Sequence, residues 1–124
     1  MSSFGFPQSQ WDAAKHEVLE ILQKKARRKQ TIAYSDLAAQ IASIRFEAND
    51  RLFHELLGQL SEDEDAAGRG MISVLVVYKS DPMPGPGFFK LAARLGRTEH
   101  DRNALWINEF KKVVEANARA SSEN

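Results

Sequence analysis

MISVLVVYK (71–79), SDPMPGPG (80–87) and FFKLAARLG (88–96) read in succession as a strand, a stiff turn and a helix. From Met71 to Tyr78 only Ser73 is polar, and apolar residues follow one another without alternation. A run of that kind predicts a strand covered on both faces. Its valines and Ile72 favour extended backbone through their restricted rotamers. Gly70 bounds it on one side and Lys79-Ser80-Asp81-Pro82 on the other. The cover has to come from helices.

The turn alternates Pro82, Pro84 and Pro86 with Met83, Gly85 and Gly87. Proline fixes φ and glycine admits left-handed backbone, so the segment reads as rigid and shaped. A strand, a glycine turn and a helix start with Lys90 in its first turn form a geometry that can hold an anion on free backbone amides. Gly85, Gly87 and Lys90 would be its residues. The spacing matches neither G-x-x-x-x-G-K-[ST] nor G-x-G-x-x-G, since Lys90 stands at the last glycine position. A turn that only reverses the chain is the ordinary reading.

Working outward, 124 residues with 43% apolar and 27% charged content and a formal net charge of zero describe one globular domain. Neutrality weighs against a protein devoted to gripping phosphates, whose affinity draws on counterion release. There is no cysteine, which excludes disulfides, thiolate nucleophiles and Cys-ligated zinc. The opening MSSFGFPQSQ lacks a basic region followed by an apolar stretch, and no run approaches a membrane span. The expectation is a cytoplasmic protein with no membrane contact.

Residues 1–8 read as an arm whose Phe4 and Phe6 dock on the body, 9–117 as a single α+β domain, and 118–124 as a frayed polar tail. Ser9 with Asp12 predicts a helix start, and Trp11, Ala14, Val18, Ile21 and Leu22 share one face to about Arg28. Lys24, Lys25, Arg27, Arg28 and Lys29 cluster at its end. Cations there complement the helix dipole, which is the ordinary reading. A phosphate-binding patch is the other.

Thr31-Ile32-Ala33 predicts a short extended piece, and Ser35 the cap of a small helix over Asp36–Ser43. Asn49 or Asp50 opens a helix with Leu52, Phe53, Leu56, Leu57 and Leu60 as its stripe. Two short helices in tandem suggest a helix-turn-helix, although Ile44–Ala48 is a long turn for that motif. The outward face would carry Arg51, His54, Glu55, Gly58 and Gln59, of which Arg51, His54 and Gln59 could meet base edges in a major groove. Ser61-Glu62-Asp63-Glu64-Asp65, read as part of a mobile loop through Gly70, would repel phosphates. Phe88, Leu91, Ala92 and Leu95 stripe the next helix, which Gly96 ends, and Asp101 starts a last one with Trp106, Phe110, Val113 and Val114 on one face.

His16, His54 and His100 fall on separate elements, and only His16 with Glu20 has metal-ligand spacing. No G-x-S-x-G elbow is present, and the paired acids of 62–65 read as solvated charges. The expectation is therefore no enzyme, no cofactor and no metal.

The order of elements, led by Ile32-Ala33-Tyr34-Ser35-Asp36-Leu37-Ala38, resembles the winged-helix domain of O6-alkylguanine DNA alkyltransferases and alkyltransferase-like proteins over Thr31–Leu95. In that family a later strand carries Pro-Cys-His-Arg. Here Val76-Val77-Tyr78-Lys79 stands in its place, so the resemblance does not carry the transferase activity. Arg51 is nearest to that family's finger arginine. Tyr34, Leu37, Ala38, Leu75–Val77, Lys79, Pro84-Gly85 and Gly87-Phe88 are also similar to small bacterial domains found beside endonuclease or restriction-type genes, a likeness that runs to Val114 and implies a nucleic-acid setting.

The combined expectation is a winged-helix-like α+β domain of about five helices around a small sheet with one central apolar strand. Its leading function is non-catalytic and on or beside DNA or RNA, through Lys24, Lys25, Arg27, Arg28 and Lys29, with Tyr34 and Arg51 nearby. The alternative is a protein-interaction or homodimerisation module whose surface combines Phe4 and Phe6 with the turn around Met83.

Overall fold

The computed structural model describes residues 2–122, with side chains described over 4–118. Met1 and residues 123–124 of the expected arm and tail lie outside the described residues. In chain order the elements are strands β1 (Ser2–Ser3) and β2 (Phe6–Pro7), helix α1 (Gln8–Arg27), strand β3 (Ile32–Ala33), helices α2 (Tyr34–Ala39) and α3 (Arg51–Ala66), a 3₁₀ turn (Ile72–Leu75), strand β4 (Val76–Val77), and helices α4 (Pro86–Arg94) and α5 (Arg102–Ser122). The described residues thus form an α+β fold of five helices with small two-stranded sheets: β1 and β2 antiparallel, β3 and β4 parallel.

The expected central strand is mostly not a strand. Ile72–Leu75 winds as the 3₁₀ turn and only Val76 and Val77 pair, in register with Ile32 and Ala33. The turn packs against α1, α3 and α5, and Met71 through Val77 are all buried. Those helices offer an extended segment no backbone partners, and buried amides have to be paired. Coiling supplies bonds internally, from the Val74 N–H to the Met71 carbonyl at 3.0 Å and from the Val76 N–H to the Ser73 carbonyl. Side chains supply others. The Met71 N–H donates to Glu109 Oε2 at 2.8 Å, the Ser73 N–H to Ser61 Oγ at 2.9 Å, and the Trp106 indole N–H to the Val74 carbonyl at 3.2 Å.

The expected mobile acidic loop is the last part of α3. Phe53, Leu56, Leu57, Leu60, Ser61 and Glu64 form one continuous buried face, so the helical period persists after the residues stop being apolar. Each acid of the run has a cation: Glu62 faces Arg94 at 3.8 Å, Asp63 Lys15 at 3.0 Å, Glu64 Arg69 at 2.6 Å and Asp65 Arg97 at 2.6 Å.

Other boundaries also move. The first helix starts at Gln8, directly after Pro7, rather than behind a Ser9 cap. Helix α2 starts at Tyr34 and stops at Ala39, short of the expected Ser43. Glu17 of α1 takes the amides of Ala42 and Ser43 at 2.7 and 3.2 Å and the Ser43 hydroxyl, which holds them out of a helix. Ser43 and these amides draw the Glu17 carboxyl below its ordinary pKa. The expected frayed tail continues as helix to Ser122. The arm does dock: Phe4 and Phe6 lie 5.0 and 6.3 Å from the Trp11 ring, and Phe6 lies 6.5 Å from Phe46.

Arg97, just past α4, joins three segments. Its guanidinium donates to Asp65 at 2.6 and 3.0 Å and to Glu109 at 2.8 and 3.0 Å, and Glu109 in turn holds the Met71 amide. Gly70 sits directly beside this cluster at φ +86°, where an added Cβ would lie 3.0 Å from Glu109 Oε2 and 3.1 Å from Val113. Only glycine meets both conditions. Arg97→Ala leaves the buried Glu109 carboxylate without its cation, and breaking a buried pair in this way costs about 3–5 kcal/mol. Denaturant unfolding should show that loss, whereas Lys24→Ala should stay within about 0.5 kcal/mol of the parent. A fully stable Arg97→Ala protein would mean the cluster contributes nothing.

The Arg97 hydrogen bonds hold the Asp65 carboxyl below its ordinary pKa, partly offset by burial. A carboxyl with a folded pKa below its unfolded value of about 3.9 binds more protons when unfolded. Its contribution is complete above that pH and disappears as pH falls through the folded value. Unfolding free energy should therefore drop as pH is lowered past the unfolded value toward the lower folded one, and Asp65→Asn should flatten the drop. An unchanged slope in that variant would remove Asp65 from the acid response.

Candidate nucleic-acid interface

The parallel pair positions the site. Ala33 pairs with Val77, so Tyr34 and Tyr78 leave the two strands side by side, with ring centroids 5.0 Å apart. His54, one turn into α3, adds a third ring 4.9 Å from Tyr34. Its Nε2 lies 2.9 Å from the Ala48 carbonyl, which fixes the imidazole. Tyr34 is only 6% exposed, while Tyr78 is 41% exposed.

The Tyr34 hydroxyl accepts the Gly85 N–H at 2.9 Å, tying the proline-glycine turn to the strand pair. Burial pushes the Tyr34 hydroxyl pKa up; the Gly85 bond partly offsets this, and Tyr78 adds to the rise. Tyr34 is thus a neutral structural contact rather than a base. An added Cβ at Gly85 would fall 2.6 Å from the Tyr78 hydroxyl oxygen, so glycine here makes room for the Tyr78 ring.

Two hollows flank these rings. One, of about 340 Å³, is lined by Tyr34, Ser35, Ala48, Asn49, His54, Tyr78 and Lys79. The other, of about 480 Å³, runs between α3 and α4 past Tyr34, Arg51, His54, Glu55, Gly58, Gly87, Lys90 and Arg94. Of the residues singled out in the sequence, Tyr34, Arg51, Gly87 and Lys90 share this second groove, and Gly85 is bonded to its Tyr34. Arg51 and Lys90 make no ion pair among the described residues.

Lys25 borders a separate depression of about 450 Å³ with Thr31, Ile32, Ala33, Asp36 and Gln40. Lys24, Arg27, Arg28 and Lys29 are exposed at the end of α1. Lys29 closes the helix at φ +56°, with the Gln30 N–H on the Lys25 carbonyl at 2.9 Å. That position ordinarily belongs to glycine. Lys29 precedes Tyr34 by five residues, so their Cα atoms lie within about 18 Å. The exposed pair of Lys79 and Asp36, at 3.3 Å, lies between the first hollow and this depression.

Two expectations change here. Gln59 does not face outward: its Oε1 accepts the Trp11 indole N–H at 3.0 Å. With His54 fixed on Tyr34 and Ala48, Arg51 alone among the expected base-edge readers stands exposed. The proline-glycine turn is also a poorer anion cradle than its sequence suggests, because Gly85 donates its amide to Tyr34 and Pro86 has none. Tyr78, Asn49 and Lys79 were not marked by the sequence as site residues; a tyrosine closing an apolar run was the available signal for the first.

Among the described residues no group of three or more His, Cys, Asp or Glu is placed to hold a metal ion, and no helix is long and apolar enough to cross a membrane. The arrangement offers stacking, hydrogen bonding and positive charge. No family model, no curated protein and no solved structure matches the chain.

The Tyr34–Gly85 bond should be measurable by itself. Tyr34→Phe leaves a buried amide without its acceptor, which costs about 1–3 kcal/mol. Amide exchange at Gly85 should accelerate in that variant by a matching factor. Unchanged exchange would show that the turn is held by other contacts.

Proposed function

We propose that this protein is a non-catalytic, winged-helix-like module that binds nucleic acid, with Lys24, Lys25, Arg27, Arg28 and Lys29 on phosphates and the Tyr34–Arg51 groove beside them. The observation that supports it most is an asymmetry of pairing. Every acid from Glu62 to Asp65 has a cation on the body of the protein, whereas none of the five cations at the end of α1 has an ion pair among the described residues. A chain of zero formal charge can therefore present an uncompensated basic patch. Such patches attract polyanions and release their counterions on contact.

The acidic run, which on sequence weighed against phosphates, is engaged in ion pairs. Lys29 adds a second point of support, because a non-glycine residue in left-handed backbone carries a strain of order 1 kcal/mol that a glycine would relieve. The alternative, a protein-interaction or dimerisation module, keeps the half-exposed ring of Phe4 in its favour. Phe6, by contrast, packs against Trp11 and Phe46.

Binding to short DNA and RNA at low and moderate salt tests the proposal, with all five cations replaced by alanine in a second protein. The parent should bind, with affinity falling as salt rises by a log–log slope of about −0.7 to −0.9 per neutralised phosphate. The five-alanine protein should bind more weakly and with a flatter slope. Equal affinity and slope in the two proteins would defeat the reading.

A further inference from the structure

We infer that Tyr78 is a stacking platform for an unpaired base, so that the nucleic acid this module takes is single-stranded; the inference rests on the reading just proposed and narrows it. A single exposed aromatic ring is common on protein surfaces and by itself carries nothing. Tyr78 differs in how firmly it is held. Its backbone N–H donates to the Met83 carbonyl at 3.2 Å, and its ring rests beside Tyr34 with its hydroxyl in the space that Gly85 leaves open. The side chain is held by these contacts, and the residue is 41% exposed. Stacking on such a ring requires little further ordering of the protein.

Its surroundings suit a nucleotide. The adjoining hollow of about 340 Å³ carries the Asn49 amide and the Ser35 hydroxyl, groups that can bond a base edge. Lys79 stands next in the chain, and its ion pair with Asp36 joins side chains 67% and 54% exposed. Exposed pairs of this sort are weak, so Lys79 can exchange Asp36 for a phosphate. In the proposed path the strand then continues toward Lys29, whose Cα lies within about 18 Å of that of Tyr34, and the cations before it. Positive charge along the backbone path and an aromatic face for the bases are the two requirements of single-strand binding.

The same geometry disfavours a duplex read by α3. Gln59 is engaged by Trp11, His54 is fixed between Tyr34 and Ala48, and Glu55 stands exposed beside Arg51. A recognition helix needs several side chains free to reach base edges. One arginine next to a glutamate does not supply them.

The test uses fluorescently labelled single strands of about 12 nucleotides, DNA and RNA, and the matching duplex, within the size range of single-strand sites. The parent should bind the single strands more tightly than the duplex. Tyr78→Ala should lose roughly ten- to hundredfold on single strands and little on duplex. Because Tyr78 also supports Tyr34, Tyr78→Leu carries the test if the alanine protein lacks the parent's circular dichroism; it keeps the bulk and removes the π face. Tyr78→Trp should retain binding, and its indole emission should be quenched by bound bases.

Duplex binding as tight as single-strand binding would overturn the inference. So would unchanged single-strand affinity in Tyr78→Leu. In either case, weaker binding by the five-alanine protein would leave the broader reading standing. No binding of any strand at low salt would sink both.

Discussion

Met71 through Val77 are buried, and the polar backbone of that segment has to be satisfied where the neighbours are mostly helices. Much of the rest of the fold answers this constraint. The 3₁₀ turn closes bonds within the segment, Ser61, Glu109 and Trp106 reach in from α3 and α5, and β3 supplies the only strand partner among the described residues. An unpaired buried amide costs about 1–3 kcal/mol, so each of these side chains matters far more than its own small area suggests. Polar residues inside the core are here a consequence of its apolar centre. Glu109 then needs a cation, Arg97 provides it, and Arg97 brings Asp65 with it.

The chain from that segment to the site is short. The two-residue pairing of β3 with β4 gives Val76 and Val77 their partners, and the same register sets Tyr34 against Tyr78 where the strands end. The turn that follows is pinned through Gly85 to the Tyr34 hydroxyl. A core requirement thereby fixes the spacing of surface rings. Tyr34 and the space at Gly85 together set where the Tyr78 ring sits.

Much of this was legible in the sequence. The stripes of α1, α3, α4 and α5 were readable because their apolar residues recur at helical spacing, and Thr31–Ala33 was readable as extended. The centre was not. Eight residues rich in valine satisfy the length and composition of a strand, and the choice between strand and 3₁₀ turn depends on how many backbone partners the neighbours present, which no local pattern encodes. The acidic end of α3 was misread for the opposite reason. Its period continues through Ser61 and Glu64, but a reading that follows only apolar residues stops at Leu60.

The site divides along the same line. Tyr34, Arg51, Gly87 and Lys90 could be picked out as residues because their types carry charge, a ring or a turn, and they do line one groove. Tyr78 could not, because its place beside Tyr34 follows from a register between residues more than forty positions apart. Charge was hardest to read. Equal numbers of acids and bases give a sum of zero, yet a sum says nothing about pairing. The run that looked repulsive is held by Lys15, Arg69, Arg94 and Arg97, so those cations are engaged by the body while Lys24, Arg27, Arg28 and Lys29 are left facing solvent. The third helix is tied down through Gln59, Glu64 and Asp65, and in its first two turns Arg51 and Glu55 are the exposed residues. Outside α3, Tyr78 stands exposed where β4 ends, and the cations from Lys24 to Lys29 make no ion pair among the described residues.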